Sequence, residues 1–158
     1  MLVVKISLDI YGDKFLPKKA LSNINQPFLL EDIIESTDIN DTDPSGFYGF
    51  GHVSILHPKT IELSYDEDYE NWFVEFLENY YQNFIDFGAD DFRLFWNIYY
   101  SHQCNFEIFD KELLSRLEKF KVSIPISVYN DSSESIRDFI IKSGYSAEEA
   151  EAFYEQHG

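Results

Sequence analysis

The sequence predicts a single α+β domain, built on a mixed or mainly antiparallel sheet of about four to six strands. We expect helices to pack mainly on one face of this sheet, and two further helices to follow at the C-terminal end. A period of two in the apolar residues indicates strands over 2–10, 92–100 and 122–128. Helical patterns separate these strands, and 44% of the 158 residues are apolar, which is enough for one sizeable core.

The N-terminal part begins with the clearest strand, in which every second residue from Leu2 to Ile10 is apolar. The sequence Tyr11-Gly12-Asp13 then predicts a turn. A short helix is predicted from Phe15 to Ile24, with Pro17 near its first turn, where the missing backbone N–H does no harm. The next stretch, 28–35, fits either a strand or a short helix.

A loop and a strand are predicted after this stretch. The segment 37–46 contains Asp, Asn, Pro, Ser and Gly at the density typical of a loop. The segment 47–56 predicts a strand, in which Gly49 and Gly51 indicate a bulge or close backbone packing. Residues 60–63 fit either a short paired strand or the approach to the next helix.

The longest helical pattern runs from Ser64 to Gly88 and has an aromatic face and an anionic face. Ser64 and Glu67 have the spacing of a capping box, and Gly88 suits the left-handed residue that ends a helix. The aromatic side chains recur at helical steps, and we expect them in the core, Trp72 and Tyr80 included. Tyr81 lies off this stripe and is expected at the exposed border of the anionic face.

The second half of the sheet is predicted from two more alternating stretches. The strand over 92–100 is apolar or aromatic on both faces, which places it centrally in the sheet. Asp110 caps a helix over 111–120, whose leucines and Phe120 are predicted to point inward. The strand over 122–128 contains Pro125, which indicates an edge position or a bulge.

Two short helices are predicted in the last part of the chain. The first begins with a serine cap and ends before Gly144, a helix-stopping residue. Ser146 and Glu149 have the capping-box spacing at the start of the second. The predicted organisation is an α+β core domain over 1–130 and a C-terminal helical appendage over 131–158, packed on the core.

The chain carries 29 acidic and 12 basic residues, for a net charge of −17. Residues 60–92 contain ten of the acidic residues and no Lys or Arg. Such a field repels nucleic acid and anionic membranes and attracts basic proteins, so the predicted partner is a basic protein. Acidity also favours solubility, and this simpler interpretation needs no partner.

The compartment is predicted from what the sequence lacks. A single cysteine, Cys104, allows no intramolecular disulfide and fits a reducing cytosol. The first residues lack the basic and apolar segments of a signal peptide, and no apolar run reaches the roughly 18 residues of a membrane span. We therefore expect a cytoplasmic protein.

No stretch of the sequence satisfies a catalytic, metal or cofactor motif. The acidic stretches 66–70 and 38–43 resemble parts of a calcium loop but lack its glycine and its final glutamate. His102 and Cys104 are too few ligands for zinc, and a packing cysteine is favoured over a nucleophile. The glycine-rich segment 46–51 lacks the Lys-Ser/Thr of a phosphate loop. We predict no enzyme activity, no metal and no cofactor.

Two regions carry a resemblance to a known family. FRLFWNIYY from Phe92, a leucine-bearing helix and VSIPISVYN up to 130 resemble the C-terminal half of a family of small uncharacterised bacterial α+β proteins. The opening strand, with Tyr11-Gly12-Asp13 before Phe15-Leu16-Pro17, resembles the N-terminal half. Such proteins look like the antitoxin or immunity partners of interbacterial toxins, so the resemblance implies a binding function and supplies no catalytic residues.

Charge, missing motifs and resemblance together predict an immunity protein that binds and neutralises a cognate bacterial toxin domain, expected to be a basic nuclease. Its carboxylates would occupy the groove that binds phosphate. Two alternatives stay open: a non-catalytic adaptor or regulatory binding module, and a hydrolase that uses a carboxylate pair. The predicted toxin-binding residues are Glu67, Asp68, Glu70, Glu75, Glu78, Tyr81 and Asp86.

Overall fold

The structure is a computed structural model that describes residues 2–59, 69–100, 107–130, 133–142 and 144–157. Within these ranges the chain forms six strands and five helices. The strands are β1 (Leu2–Gly12), β2 (Leu29–Ile34), β3 (Gly51–Leu56), β4 (Asp91–Tyr100), β5 (Val122–Ser123) and β6 (Ile126–Asn130). The helices are α1 (Pro17–Leu21), α2 (Tyr69–Asp86), α3 (Lys111–Leu117), α4 (Ser133–Lys142) and α5 (Ala147–His157).

The strands form one mixed sheet, which confirms the predicted α+β fold class. The strand order is β2–β3–β1–β4, and β5 and β6 lie one after the other along the outer side of β4. Strands β1 to β4 pair antiparallel with their neighbours, whereas β5 and β6 pair parallel with β4. Strand β2 is therefore one edge of the sheet, β5 and β6 are the other, and β4 is internal as predicted.

Pro125 separates β5 from β6 without changing the register of the edge. Arg93 pairs with Ser123 before the proline, and Trp96 pairs with Ile126 after it. Between these pairs, the carbonyl oxygen of Pro125 accepts a hydrogen bond from the Trp96 backbone N–H at 2.9 Å. Proline lacks a backbone donor, which an edge strand tolerates on its outer side. The predicted edge position is confirmed, and no residue is inserted there as a bulge would require.

The core lies on one face of the sheet. Cross-strand partners point to the same face, so Leu8 lies beside Ile55 and Leu94, and all three are fully buried. The helices α1, α2 and α3 add side chains to the same core cluster. From α2 come Phe73, Val74, Phe76, Leu77 and Phe84, which confirms that the aromatic stripe of this helix is core.

Three glycines allow backbone segments to meet at the turn after β1. A Cβ atom on Gly12 would lie 2.4 Å from the carbonyl oxygen of Gly88, and one on Gly51 would lie 2.3 Å from that of Phe15. Gly88 has a φ of +91° and follows the end of α2, as predicted. The close backbone packing predicted for Gly51 is also confirmed, because no side chain fits there.

The predicted helix caps are present wherever the structure describes them. Asp110 Oδ1 accepts hydrogen bonds from the backbone N–H groups of Glu112 and Leu113, at 2.9 and 2.8 Å. The Ser146 N–H donates to Glu149 Oε2 at 2.7 Å, and the Glu149 N–H donates to Ser146 Oγ at 3.1 Å, which completes a capping box. These bonds satisfy N–H groups that the first helical turn leaves without an internal partner.

Several predicted details differ from the structure. The ambiguous stretch 28–35 contains strand β2, and α1 is shorter than expected. The strand expected over 47–56 begins only at Gly51, because Gly46 and Gly49 have φ values of +78° and +74°, which extended backbone does not adopt. Leu114 was expected to point inward but is 47% exposed, because Leu117 supplies the buried side of the short helix α3.

The C-terminal helices contain buried apolar side chains of their own. Ile136 and Ile140 of α4 and Ala150 of α5 are buried, and α4 lies against β4. The boundary at residue 130 stays a prediction. The segment 60–63, the capping box of Ser64 with Glu67, and the His102 and Cys104 pair lie outside the described residues.

Candidate functional site

The anionic face of α2 is only partly available for binding. Glu75 and Asp86 are exposed, and each accepts a hydrogen bond from an amide four residues before it, Asn71 and Gln82 respectively. Glu70 is half-buried. The predicted site residues Glu67 and Asp68 lie outside the described residues.

Glu78, in the middle of this face, is paired with Arg116 of α3 and with Lys119, which lies just after α3. Its carboxylate accepts hydrogen bonds from Arg116 Nη2 and Lys119 Nζ, both at 2.8 Å. These bonds, with that from Arg116 first in importance, lower the pKa of Glu78 to about 2. The Arg116 guanidinium also donates to Asn71 Oδ1 at 2.7 Å, which joins α3 to α2. The charge of Glu78 is therefore compensated within the chain.

Tyr81 is not the exposed anchor that its place in the sequence suggested. Its ring centroid lies 4.5 Å from that of Phe92 and 5.1 Å from that of Phe120. Its hydroxyl oxygen accepts a hydrogen bond from the backbone N–H of Lys121 at 3.3 Å. Phe92 comes from β4, and Phe120 comes from the turn that follows α3. The apolar side of α2 is therefore wider than its sequence stripe, and Tyr81 is half-buried within it.

Trp72 and Tyr80 are half-buried at the edge of the core, against which both pack. The Trp72 ring stacks on Phe76 with centroids 5.1 Å apart. The Tyr80 hydroxyl accepts hydrogen bonds from the backbone N–H groups of Asn25 and Gln26, at 3.3 and 3.2 Å. These contacts hold the segment after α1 against α2 and agree with the predicted core role.

A second anionic surface lies on the β2–β3 loop, residues 35–50. Asp41 and Asp43 are exposed there, and Asp38 is half-buried. Asp43 Oδ1 accepts hydrogen bonds from Ser45 Oγ and the Ser45 N–H, at 2.6 and 2.8 Å, which lower the pKa of Asp43. In the described part of the chain, no Lys, Arg or His forms an ion pair with these three carboxylates.

The same loop exposes two large apolar side chains. Ile39 is 73% exposed and Phe47 is 50% exposed, and the two residues face each other in an isolated antiparallel bridge. The loop backbone is fixed by its own hydrogen bonds, among them Asn40 N–H to Gly46 O at 3.0 Å and Tyr48 N–H to Asp38 O at 3.2 Å. A loop that carries an apolar pair and exposed carboxylates is thus held in a defined shape.

The sheet face opposite the core carries a polar cluster that sequence reasoning missed. His52 is buried, with Nε2 3.4 Å from Asp9 Oδ1 and Nδ1 3.6 Å from Asp32 Oδ2. Ser7 Oγ donates to Asp9 Oδ2 at 2.8 Å. The Tyr11 ring stacks on His52 with centroids 4.3 Å apart. The cluster thus joins β1, β2 and β3.

Two opposing effects act on the Asp9 carboxyl. Burial raises its pKa, but hydrogen bonds from His52, Ser54 and Ser7 together outweigh burial, so the pKa of Asp9 lies below its ordinary value. A nucleophilic serine needs a hydroxyl that donates to an imidazole nitrogen. Here both nitrogens of His52 face carboxylates and Ser7 donates to Asp9, so the cluster does not have this arrangement.

The described residues show neither a metal-ligand cluster nor a membrane-crossing helix. No group of three or more His, Cys, Asp or Glu side chains among them could hold a metal ion. None of the helices within the described ranges is long and apolar enough to cross a membrane.

Comparison with known proteins identifies no relative. No protein-family model matches the chain, and neither a curated protein nor a solved structure matches it. The resemblance to toxin-immunity proteins therefore stays a prediction.

Proposed function

We propose that this protein is an immunity protein, which neutralises a basic toxin domain by binding it rather than by catalysis. The observation that carries the proposal is the excess of exposed carboxylates. The net charge is −17, and several of the cations in the described residues are already paired internally, such as Arg93 with Asp91 and Arg116 with Glu78. Glu75, Asp86 and the β2–β3 loop keep their negative charge at the surface.

The mechanism follows from electrostatic complementarity. A nuclease domain binds phosphate through Lys and Arg side chains, and exposed carboxylates at the right spacing can take the place of that phosphate. Long-range attraction speeds the encounter, and salt weakens it mainly through the association rate. Binding that covers the groove excludes the nucleic acid substrate.

The first test concerns protection by the anionic face of α2. We expect the chain to protect a bacterial host against the toxin domain encoded next to its own gene. Glu75→Lys with Asp86→Lys should reduce surviving colonies about tenfold or more, because each change replaces attraction by repulsion. Glu78 is left intact, since its replacement would also break the contacts between α2 and α3.

A charge-matched control separates the surface from the net charge. Glu148→Lys with Glu155→Lys changes exposed positions of α5 by the same amount of charge and should leave protection unchanged. If the α2 variant protected the host as well as the unaltered chain does, α2 would not be part of the binding surface. Absence of both binding and protection by the unaltered chain would overturn the immunity function, and binding without protection would indicate an adaptor.

A further inference from the structure

We propose that the β2–β3 loop is the part of the protein that enters the partner, with Ile39 and Phe47 in an apolar pocket of a basic protein. The exposed carboxylates of Asp41 and Asp43 then meet Lys or Arg side chains at the rim of that pocket. This inference rests on the proposed function, and it moves the centre of the interface from α2 to the loop.

Both side chains of the pair are exposed, and Ile39 is the most exposed large apolar side chain among the described residues. Ile39 is 73% exposed and Phe47 is 50% exposed, although both are large and apolar. Their isolated bridge places them side by side, so they form one apolar surface rather than two scattered contacts. Interfaces concentrate their binding energy in a few aromatic or aliphatic anchors that become fully desolvated on binding.

The loop is held ready for binding by its own backbone. The Gly46 N–H donates to Asp43 O at 2.9 Å, the Asp43 N–H donates to Asn40 O at 3.1 Å, and the Gly49 N–H donates to Ser36 O at 3.0 Å. A segment that already has its bound shape loses less conformational entropy on association. A loop with this backbone can therefore contribute more of its contact energy to affinity.

Charge identifies the kind of partner. Asp41 and Asp43 lie between Ile39 and Phe47 in the same loop, and no cation in the described ranges forms an ion pair with either. A loop that carries both an exposed apolar pair and exposed carboxylates complements a partner surface that combines an apolar pocket with Lys and Arg side chains. Two copies of this chain would instead place like charges against each other, so a second copy is disfavoured.

Other exposed surfaces give weaker grounds for an anchor. Tyr81 is covered by Phe92 and Phe120, and Glu78 is neutralised by cations of the same chain. Strand β6 exposes Ile126 and other apolar residues but has no charged residue that indicates a partner.

The test measures binding to the toxin domain encoded by the neighbouring gene. This domain carries a substitution at its catalytic residue, so that it can be purified. We expect Ile39→Ser with Phe47→Ser to weaken the equilibrium affinity about tenfold or more, mainly through faster dissociation. Asp41→Asn should instead slow association and reduce its salt dependence. Both variants should keep the circular dichroism spectrum and melting temperature of the parent, because the replaced side chains are exposed.

The control is Ile126→Ser, which replaces an apolar side chain that is also 50% exposed. It should bind the toxin domain as the parent does. If the loop variant binds as tightly as the parent while the α2 charge variant does not, the loop inference is wrong and the proposed function stands. If the parent itself does not bind, both are wrong. Loss of a homodimer in the loop variant, seen by sedimentation, would assign the apolar pair to a second copy instead.

Discussion

Asp9 is a carboxylate enclosed in the polar side of the sheet, where His52, Ser7 and Ser54 surround it. Its pKa is lowered in the folded chain, so the ionised form is favoured by folding. This contribution to stability is fully present above the pKa of the unfolded state, and it is lost as the pH falls through the folded pKa. Asp32, Tyr11 and Arg93 also lie at this cluster, with Asp91 beside Arg93 and Glu31 bonded to Ser54.

The residue-scale prediction is that Asp9→Asn flattens the acid limb of the stability curve. As the pH falls below about 4, the ordinary pKa of an aspartate, the parent should lose unfolding free energy more steeply than the variant, because Asn has no proton to gain. Urea unfolding at several pH values measures the slope. Asp13→Asn, at an exposed position, should keep the steeper parental slope. If parent and Asp9→Asn showed the same slope, ionisation of Asp9 would not contribute to the pH dependence of stability.

Residue roles were predictable only where neighbours in sequence determine them. The caps at Asp110 and Ser146 follow from spacing alone, and both are confirmed. The burial of Tyr81 was missed because it depends on Phe92 and Phe120, which only the folded chain brings close. The His52 cluster had one usable signal, a polar residue at every second position of β1, but strand register was unknown from sequence.

At the scale of elements, α2 and α3 are joined by a surface ion-pair cluster of Glu78, Arg116 and Lys119. The Glu78 side chain is 27% exposed and that of Arg116 is 29% exposed, so water screens the pair substantially. Leu117 is the one buried residue of α3, so its apolar contacts hold the helix on the core alongside these ion pairs.

We predict a coupling energy between Glu78 and Arg116 that is close to the error of a double-mutant cycle, because the pair is exposed to water. The variants are Glu78→Gln, Arg116→Gln and the two combined, each unfolded with urea. The coupling should shrink further at about 1 M salt, which screens exposed charges. A coupling several times larger, insensitive to salt, would show that the pair is effectively buried.

Elements with local signals were predicted well, and those set by distant contacts were not. The sheet was predicted from the alternation in β1 and β4, and its covering helix from the apolar stripe of α2. Both patterns are local, because the spacing of apolar residues follows the face of the element that is buried. The β2–β3 loop was recognised as a loop by composition. Its bridge between Ile39 and Phe47 had no such signal, because it depends on backbone conformations at Gly46 and Gly49.

At the scale of the whole molecule, net charge opposes compactness. A chain with a net charge of −17 repels itself, and folding brings these charges together. Internal pairs such as Lys5 with Glu31 relieve only part of this repulsion. The same excess of negative charge attracts a basic partner. Salt should therefore stabilise the isolated chain and weaken its complex.

We therefore expect added salt to raise the melting temperature of the isolated chain by a few degrees while weakening its complex. Screening reduces self-repulsion in the first case and attraction in the second. The rise should be smaller for the Glu75→Lys, Asp86→Lys variant, which is less acidic. Differential scanning fluorimetry over a salt series measures it. A melting temperature that falls with salt would mean that attractive ion pairs dominate the folded state.

The two edges of the sheet differ in a way that limits assembly. Strand β2 contains Glu31 and Asp32 and a shift in register, features that disfavour the addition of a further strand. Strand β6, with the sequence ISVYN, contains no charge. Extension into a fibre needs two receptive edges on every chain, whereas the described strands offer one. Any strand-to-strand association of this protein should therefore end with a pair of chains and not grow into a filament.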